Sequence, residues 1–212
     1  MKQSKIPKAT ITRLSIYYRQ LELLESNFSY MISSEKLALL CQVNSAQVRK
    51  DLGYFGEFGV RGVGYNVIEL QKEIKKILTL DREWNMGIIG IGNLGSALMQ
   101  HQNLPARGFE FVAAFDNDPN KIGQITSTGL IIRDINELDS LVKELKIEIG
   151  IITTPPSVAQ QVADKFLESH VYALLNFSPR RIFVPECCLV ENIDFSVKLD
   201  ILTYKLRKNM IV

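Results

Sequence analysis

The sequence predicts an α/β protein in two parts. A small N-terminal domain carries a helix-turn-helix and a β-ribbon, and a larger C-terminal domain is built on a doubly wound parallel sheet. Three observations carry this reading. Helical apolar spacings fill residues 10–55, five glycines crowd residues 53–65, and short apolar runs alternate with amphipathic segments from residue 86 onward.

The first helix is expected from Thr10 to Glu25, where Ile11, Leu14, Ile16, Tyr17, Tyr18, Leu21 and Leu24 recur largely every three or four residues. Ser33 or Ser34 then caps a short helix ending at Leu40, and Asn44 or Ser45 caps a third from Ala46 to Phe55. Two short helices separated by Cys41-Gln42-Val43-Asn44 have the spacing of a helix-turn-helix. The third helix would be the reader, with Ser45, Gln47, Arg49 and Lys50 outward and Val48 and Leu52 inward. Gln and Arg suit base edges, and Lys suits phosphate. A solvated helix in an ordinary three-helix bundle has the same pattern.

Gly53-Tyr54-Phe55-Gly56-Glu57-Phe58-Gly59-Val60-Arg61-Gly62-Val63-Gly64-Tyr65 follows at once. Glycines here permit a tight β-ribbon, a wing, with Arg61 near its tip and the minor groove within its reach. Tyr54, Gly62, Gly64 and Tyr65 complete the expected DNA-facing set of this winged helix-turn-helix, unless the ribbon is only a structural hairpin. Residues 67–80 then form another amphipathic helix through Ile68, Leu70, Ile74, Ile77 and Leu78. The expected domains are 1–80, 85–194 and a terminal segment 195–212.

Totals narrow the function. The chain has 212 residues, 46% of them hydrophobic, enough for two real cores. No apolar run nears the roughly 20 residues of a membrane span, and the basic start is not followed by a signal-peptide pattern. Three cysteines, Cys41, Cys187 and Cys188, suit a reducing cytoplasm. Residues 1–66 carry nine Lys and Arg against five acids, so the front is +4 and the remainder −2. A basic front fits a polyanion partner such as double-stranded DNA.

In the second part, Met86 to Gly90 reads as a buried parallel strand. It enters Gly90-Ile91-Gly92-Asn93-Leu94-Gly95, a G-x-G-x-x-G, and a helix follows from Ser96. Strand, glycines and helix together make the dinucleotide fingerprint of a Rossmann domain. Gly90 allows the turn, Gly92 the approach of pyrophosphate, and Gly95 the packing of helix on strand. A second strand, 109–115, ends at Asp116, 21 positions beyond Gly95. An acid there accepts from a ribose 2′-hydroxyl and repels a 2′-phosphate, which favours NADH and NAD⁺ over their phosphorylated forms. Strands at 130–132, 147–153 and 171–175, a helix capped by Asp134, and one opened by Pro155 and Pro156 continue the alternation. Ligand loops should sit at strand C-terminal ends, at Thr153-Thr154-Pro155 and Asn176-Phe177 as well as Asp116 and the fingerprint.

No catalytic set is evident. His101 lies late in the first helix of this domain, His170 sits at the wrong end of a strand, and no cluster has metal-ligand spacing. The dinucleotide therefore reads as a signal rather than a reagent. On the residues alone, a small dehydrogenase with an accessory winged helix, a regulator sensing another nucleotide or sugar, and a structural DNA-binding protein with a vestigial nucleotide fold remain open. Residues 194–212 carry Phe195, Val197, Leu199, Ile201, Leu202, Tyr204 and Leu206, a helix-capable tail that docks either on its own domain or in a second subunit.

These motifs resemble the Rex family of redox-sensing repressors. The resemblance rests on Val48-Arg49-Lys50-Asp51-Leu52 with Tyr54 to Gly59 and Arg61 to Tyr65, and on Pro7-Lys8-Ala9-Thr10 with Tyr17-Tyr18-Arg19. It extends through Gly90 to Gly95, Phe115-Asp116-Asn117-Asp118-Pro119 with Lys121-Ile122-Gly123, Leu175-Asn176-Phe177 and Glu191 to Phe195. It implies a homodimer with a domain-swapped C-terminal helix, bound to an inverted-repeat operator related to TTGTGA and released by NADH. It also implies that Arg19, His101 and Asp194 couple cofactor to DNA and that Phe195 lies by the nicotinamide. His101 stands where the family often has Tyr, and Gly53 where it often has Ser. The neutral ring of NADH suits an apolar pocket better than the cationic ring of NAD⁺.

Overall fold

The computed structural model describes residues 6–25, 30–60 and 62–209. It divides into two compact units, Met1–Arg82 and Glu83–Val212.

The first unit holds four helices: α1 (Lys8–Glu25), α2 (Ser34–Leu40), α3 (Ser45–Gly53) and α4 (Val67–Ile77). Their starts follow from local chemistry. Ser33 caps α2 by accepting from the Lys36 N–H, Asn44 caps α3 through Gln47, and Asn66 caps α4 through Glu69. Buried Leu14, Tyr17 and Leu21 of α1 share the core with Leu37 of α2, Val48 of α3, and Leu70 and Ile74 of α4. A two-stranded antiparallel sheet joins β1 (Met31–Ile32) to β2 (Tyr65–Asn66). The reading of the sequence missed β1, because two residues give no alternation to detect.

The second unit is a six-stranded sheet in the order β5-β4-β3-β6-β7-β8, with every pairing parallel. Its strands are β3 (Trp84–Ile89), β4 (Phe109–Asp116), β5 (Ile132–Asp134), β6 (Ile149–Ile152), β7 (Ala173–Asn176) and β8 (Leu189–Asn192). The order is that of a dinucleotide-binding sheet, with the direction of strand addition switching between β3 and β6. Successive residues of the central strands serve opposite faces. Ile89, Phe115 and Ile152 join Leu138, Val142, Val162 and Phe166 of α6 (Leu138–Leu145) and α7 (Ala159–Glu168). Ile88, Ala114 and Ile151 join Met99 of α5 (Asn93–Met99) on the other face.

Several expectations are corrected. The strand expected at 130–132 lies at 132–134, because Thr126 to Leu130 close a hairpin whose flanks bridge Ile125 to Ile131. Pro155 and Pro156 do not open α7; they sit in the preceding turn, and the helix starts at Ala159. Strand β8 was not foreseen, since it is a largely exposed edge without an apolar run. His101 is past the end of α5, which stops at Met99, and is exposed.

The tail forms α8 (Phe195–Asn209), which leaves Phe195, Val197, Leu199, Ile201, Leu202, Tyr204 and Leu206 exposed. Among the described residues no helix is long and apolar enough to cross a membrane. Cys41 and Cys188 are buried and Cys187 is exposed, all three free. Burial pushes the Cys41 thiol up to about 11.

Candidate functional site: a nucleotide cleft and a DNA-reading surface

At the C-terminal ends of β3, β4, β6 and β7 the second unit opens a cleft of about 850 Å³, within the range of small-molecule sites. Its first wall is the glycine turn. Gly90 has φ +101°, a backbone conformation that L side chains rarely adopt. A Cβ on Gly95 would collide with the Gly90 carbonyl oxygen, so α5 can seat on the turn only with glycine there. Gly92 caps α5 without a side chain, which leaves the helix's opening N–H groups available to an anion.

Asp116 lines the cleft at the end of β4 and is 5% exposed. Its carboxylate accepts from the Ile91 N–H (2.8 Å), the Lys121 ammonium (2.9 Å), the Asn117 N–H (2.9 Å) and the Asp118 N–H (3.0 Å). Burial alone would raise its pKa. Lys121 and the backbone donors outweigh burial and hold the carboxyl below its usual value. Asp116 is therefore the clamp that holds the glycine turn to β4.

Of the expected cofactor residues, Gly90, Gly92, Leu94, Asp116, Thr153, Pro155 and Phe195 line the cleft, as does Asp194. Ile91, Asn93 and Gly95 build the turn without lining it. Thr153 spends its hydroxyl on the Gly90 carbonyl (2.7 Å) and the Ile89 carbonyl (3.1 Å). Asn176 is corrected: it is fully buried, donates to the Arg180 carbonyl and to Asn192 Oδ1, and accepts from the Ser178 N–H. It folds the loop after β7 instead of facing a ligand. Thr154 and Phe177, expected in the ligand loops after β6 and β7, also line the cleft, whereas sequence reasoning missed Gln161, Lys165 and Ser178, which line it from loop and helix positions outside the fingerprint. Asp194 accepts from the Ser196 N–H (2.9 Å) and hydroxyl (2.6 Å) at the start of α8. Phe195, beside it, is 75% exposed.

In the first unit, Lys50 and Arg49 are exposed on α3, and Ser45, Tyr54 and Tyr65 are half-buried. Arg49 donates to the Ser34 hydroxyl (2.7 Å) and pairs with Glu35 (3.2 Å), which ties the reading helix to α2. Gln47 is corrected: its amide donates inward to Asp51 (2.8 Å) instead of standing free. Gly62 and Gly64 belong to a tight turn bridged from Val60 to Gly64; Arg61 lies outside the described residues. Arg19 is exposed on α1.

Asp51 is the residue the sequence did not single out. It is fully buried and accepts from Thr10 (3.0 Å), Arg13 (2.5 and 2.7 Å), Tyr17 (2.8 Å) and Gln47. Burial pushes its pKa up, but Arg13, Tyr17, Gln47 and Thr10 together hold it below the usual carboxylate value. Burial and the Asp51 contact raise the Tyr17 phenol in turn. The hub fixes the reading helix to α1.

Among the described residues no group of three or more His, Cys, Asp or Glu could hold a metal ion. A winged helix-turn-helix with cations on its reading helix, followed on the same chain by a dinucleotide cleft, defines a ligand-responsive DNA-binding regulator. Comparisons with known proteins agree. Residues 5–53 match the family model described as "Putative DNA-binding protein N-terminus", and residues 81–180 match "CoA binding domain". The chain is 55% identical over 207 residues to the redox-sensing transcriptional repressor Rex of Syntrophobacter fumaroxidans, covering 97% of this chain and 98% of that one. It is 46% identical to that of Carboxydothermus hydrogenoformans, covering 99% and 100%. The solved structure of RSP with beta-NAD⁺ and operator DNA is similar at TM-score 0.92 and 35% identity, covering 98% of this chain and 95% of that one. RSP with beta-NADH is similar at 0.89 and 34%, covering 98% and 97%. The chain belongs to the Rex family of redox-sensing transcriptional repressors.

Proposed function

We propose that this chain binds an inverted-repeat operator as a homodimer in the cytoplasm and leaves it when NADH replaces NAD⁺ in the cleft. One observation carries the reading: a single chain joins a DNA-reading α3 to a cleft that has the glycine turn and Asp116 of a dinucleotide site. The RSP repressor, similar over nearly the whole chain, is solved with NAD⁺ on operator DNA and with NADH. That pair supports the same two ligands and the same DNA partner here.

The exposed apolar residues of α8 support a second subunit as its partner, in the domain-swapped manner the resemblance implies. Phe195 at the cleft offers an apolar face to nicotinamide. Burying a cationic ring without a counter-charge is costly, so the neutral ring of NADH is favoured there. Arg19, His101 and Asp194 are the residues through which occupancy would reach the DNA. The ligand moves the equilibrium only by its differential affinity for the two arrangements. A hundredfold preference corresponds to about 2.7 kcal/mol.

The test is fluorescence anisotropy of a labelled TTGTGA-type inverted repeat at fixed salt, with no ligand, NAD⁺, NADH or coenzyme A. Tight binding that NADH abolishes and NAD⁺ preserves is expected. Binding indifferent to NADH but sensitive to coenzyme A would replace the proposed ligand, and absence of DNA binding would overturn the function.

A further inference from the structure

Two threonines follow β6, and they are used differently. Thr153 donates its hydroxyl to the Gly90 and Ile89 carbonyls and so braces the glycine turn. The Thr154 hydroxyl is buried and, among the described residues, has no hydrogen-bond partner, although Thr154 itself lines the cleft. A buried polar group without a partner costs free energy comparable to a lost hydrogen bond. Such a group in a ligand cleft is poised for a ligand.

The surroundings say which part of a ligand. A Cβ built on Gly90 would lie 2.8 Å from the Thr154 methyl, so this side chain borders the fingerprint turn with its methyl toward it. Threonine populates more than one staggered χ1 state. One step of that torsion brings the hydroxyl to the face the methyl now holds. In a dinucleotide fold the acid ending the second strand meets the adenosine ribose; that acid is Asp116 at the end of β4, and the sheet order places β6 on the opposite side of β3. Thr154 therefore stands on the side that receives the other half of a dinucleotide.

Resting on the dinucleotide-sensing function above, we propose that Thr154 is a binding residue for the nicotinamide mononucleotide half of the ligand. Its hydroxyl turns into the cleft and hydrogen-bonds a ribose or phosphate oxygen there. The contact gives a buried hydroxyl a partner only in the occupied state, so its whole effect appears as ligand affinity.

Thr154→Val tests this, because it keeps the shape and removes only the hydroxyl. NADH affinity, read by quenching of protein fluorescence or by calorimetry, should fall about three- to tenfold. AMP, the half of the ligand that Thr154 does not meet, should bind wild type and T154V alike when followed by ligand-observed NMR. Thr154→Ser should restore NADH affinity to within about twofold. An unchanged NADH affinity in T154V would overturn the inference, as would parallel loss of NADH and AMP, which marks a collapsed glycine turn. Failure of T154S to rescue would overturn it as well. Wild-type protein that binds no NADH would overturn the proposed function and this inference with it, whereas wild-type binding matched by T154V overturns the inference alone.

Discussion

Asp51 is a carboxylate taken wholly out of water, and it survives there because four side chains donate to it. Removing its charge leaves the Arg13 guanidinium without its counter-ion in a mostly buried setting. Asp51→Asn should therefore cost about 3 kcal/mol of stability, measured by urea unfolding. The pH dependence has a definite sign. Asp51 titrates lower in the folded chain than in the unfolded one, so its contribution is complete above the unfolded value of about 3.9. It is lost as pH falls from there toward the depressed folded value. Wild type should lose stability across that acid window, and D51N should lose distinctly less. Equal acid sensitivity of the two would refute the hub. In the sequence Asp51 was one of five acids in residues 1–66. Nothing in its spacing told that three donors from α1 would converge on it, because that depends on how the helices cross.

At the scale of elements, α5 and its glycine turn behave as one piece. The fingerprint was legible because each glycine answers a steric demand that strand and helix impose locally. Asn176 was misjudged because strand-end position does not reveal which way a side chain turns, and the buried amide was claimed by Arg180 and Asn192. The helix expected at Pro155 began later because both prolines were used in the turn. Gly95→Ala drives a methyl into the Gly90 carbonyl and pushes α5 off its turn. NADH affinity should fall by about tenfold or more. Operator binding without ligand should persist, because α3 and the wing lie in the other unit. Anisotropy titrations with and without NADH would show a repressor that no longer lets go. Loss of both activities would mean that the turn supports far more than the ligand.

At the scale of the whole molecule, the division into units was legible as a change of period and composition. It falls between Arg82 and Glu83, amid the polar residues around Trp84. Assembly was legible only as an unfilled requirement. Helix α8 presents exposed apolar residues on two faces and buries none of the large ones, and exposed apolar surface of that extent needs a partner. Truncation after Asp194 should leave the second unit folded but monomeric by analytical ultracentrifugation. Operator affinity should drop by several orders of magnitude, because half-site binding loses the gain of a tethered second contact. A truncated chain that still sediments as a dimer would place the interface elsewhere.

The carboxylate that anchors Ile91 has a consequence in time. The loop around the ligand is held by protein groups before any ligand arrives, with Asp116 on one side and Thr153 on the other. An incoming molecule meets a glycine turn already in place, which need not become ordered first. Arrival is then limited by encounter and orientation, and differences in affinity lie in departure. The delay between a change in the cell's metabolism and a change in its transcripts is therefore set by how long the old molecule stays, making residence time the clock of the switch.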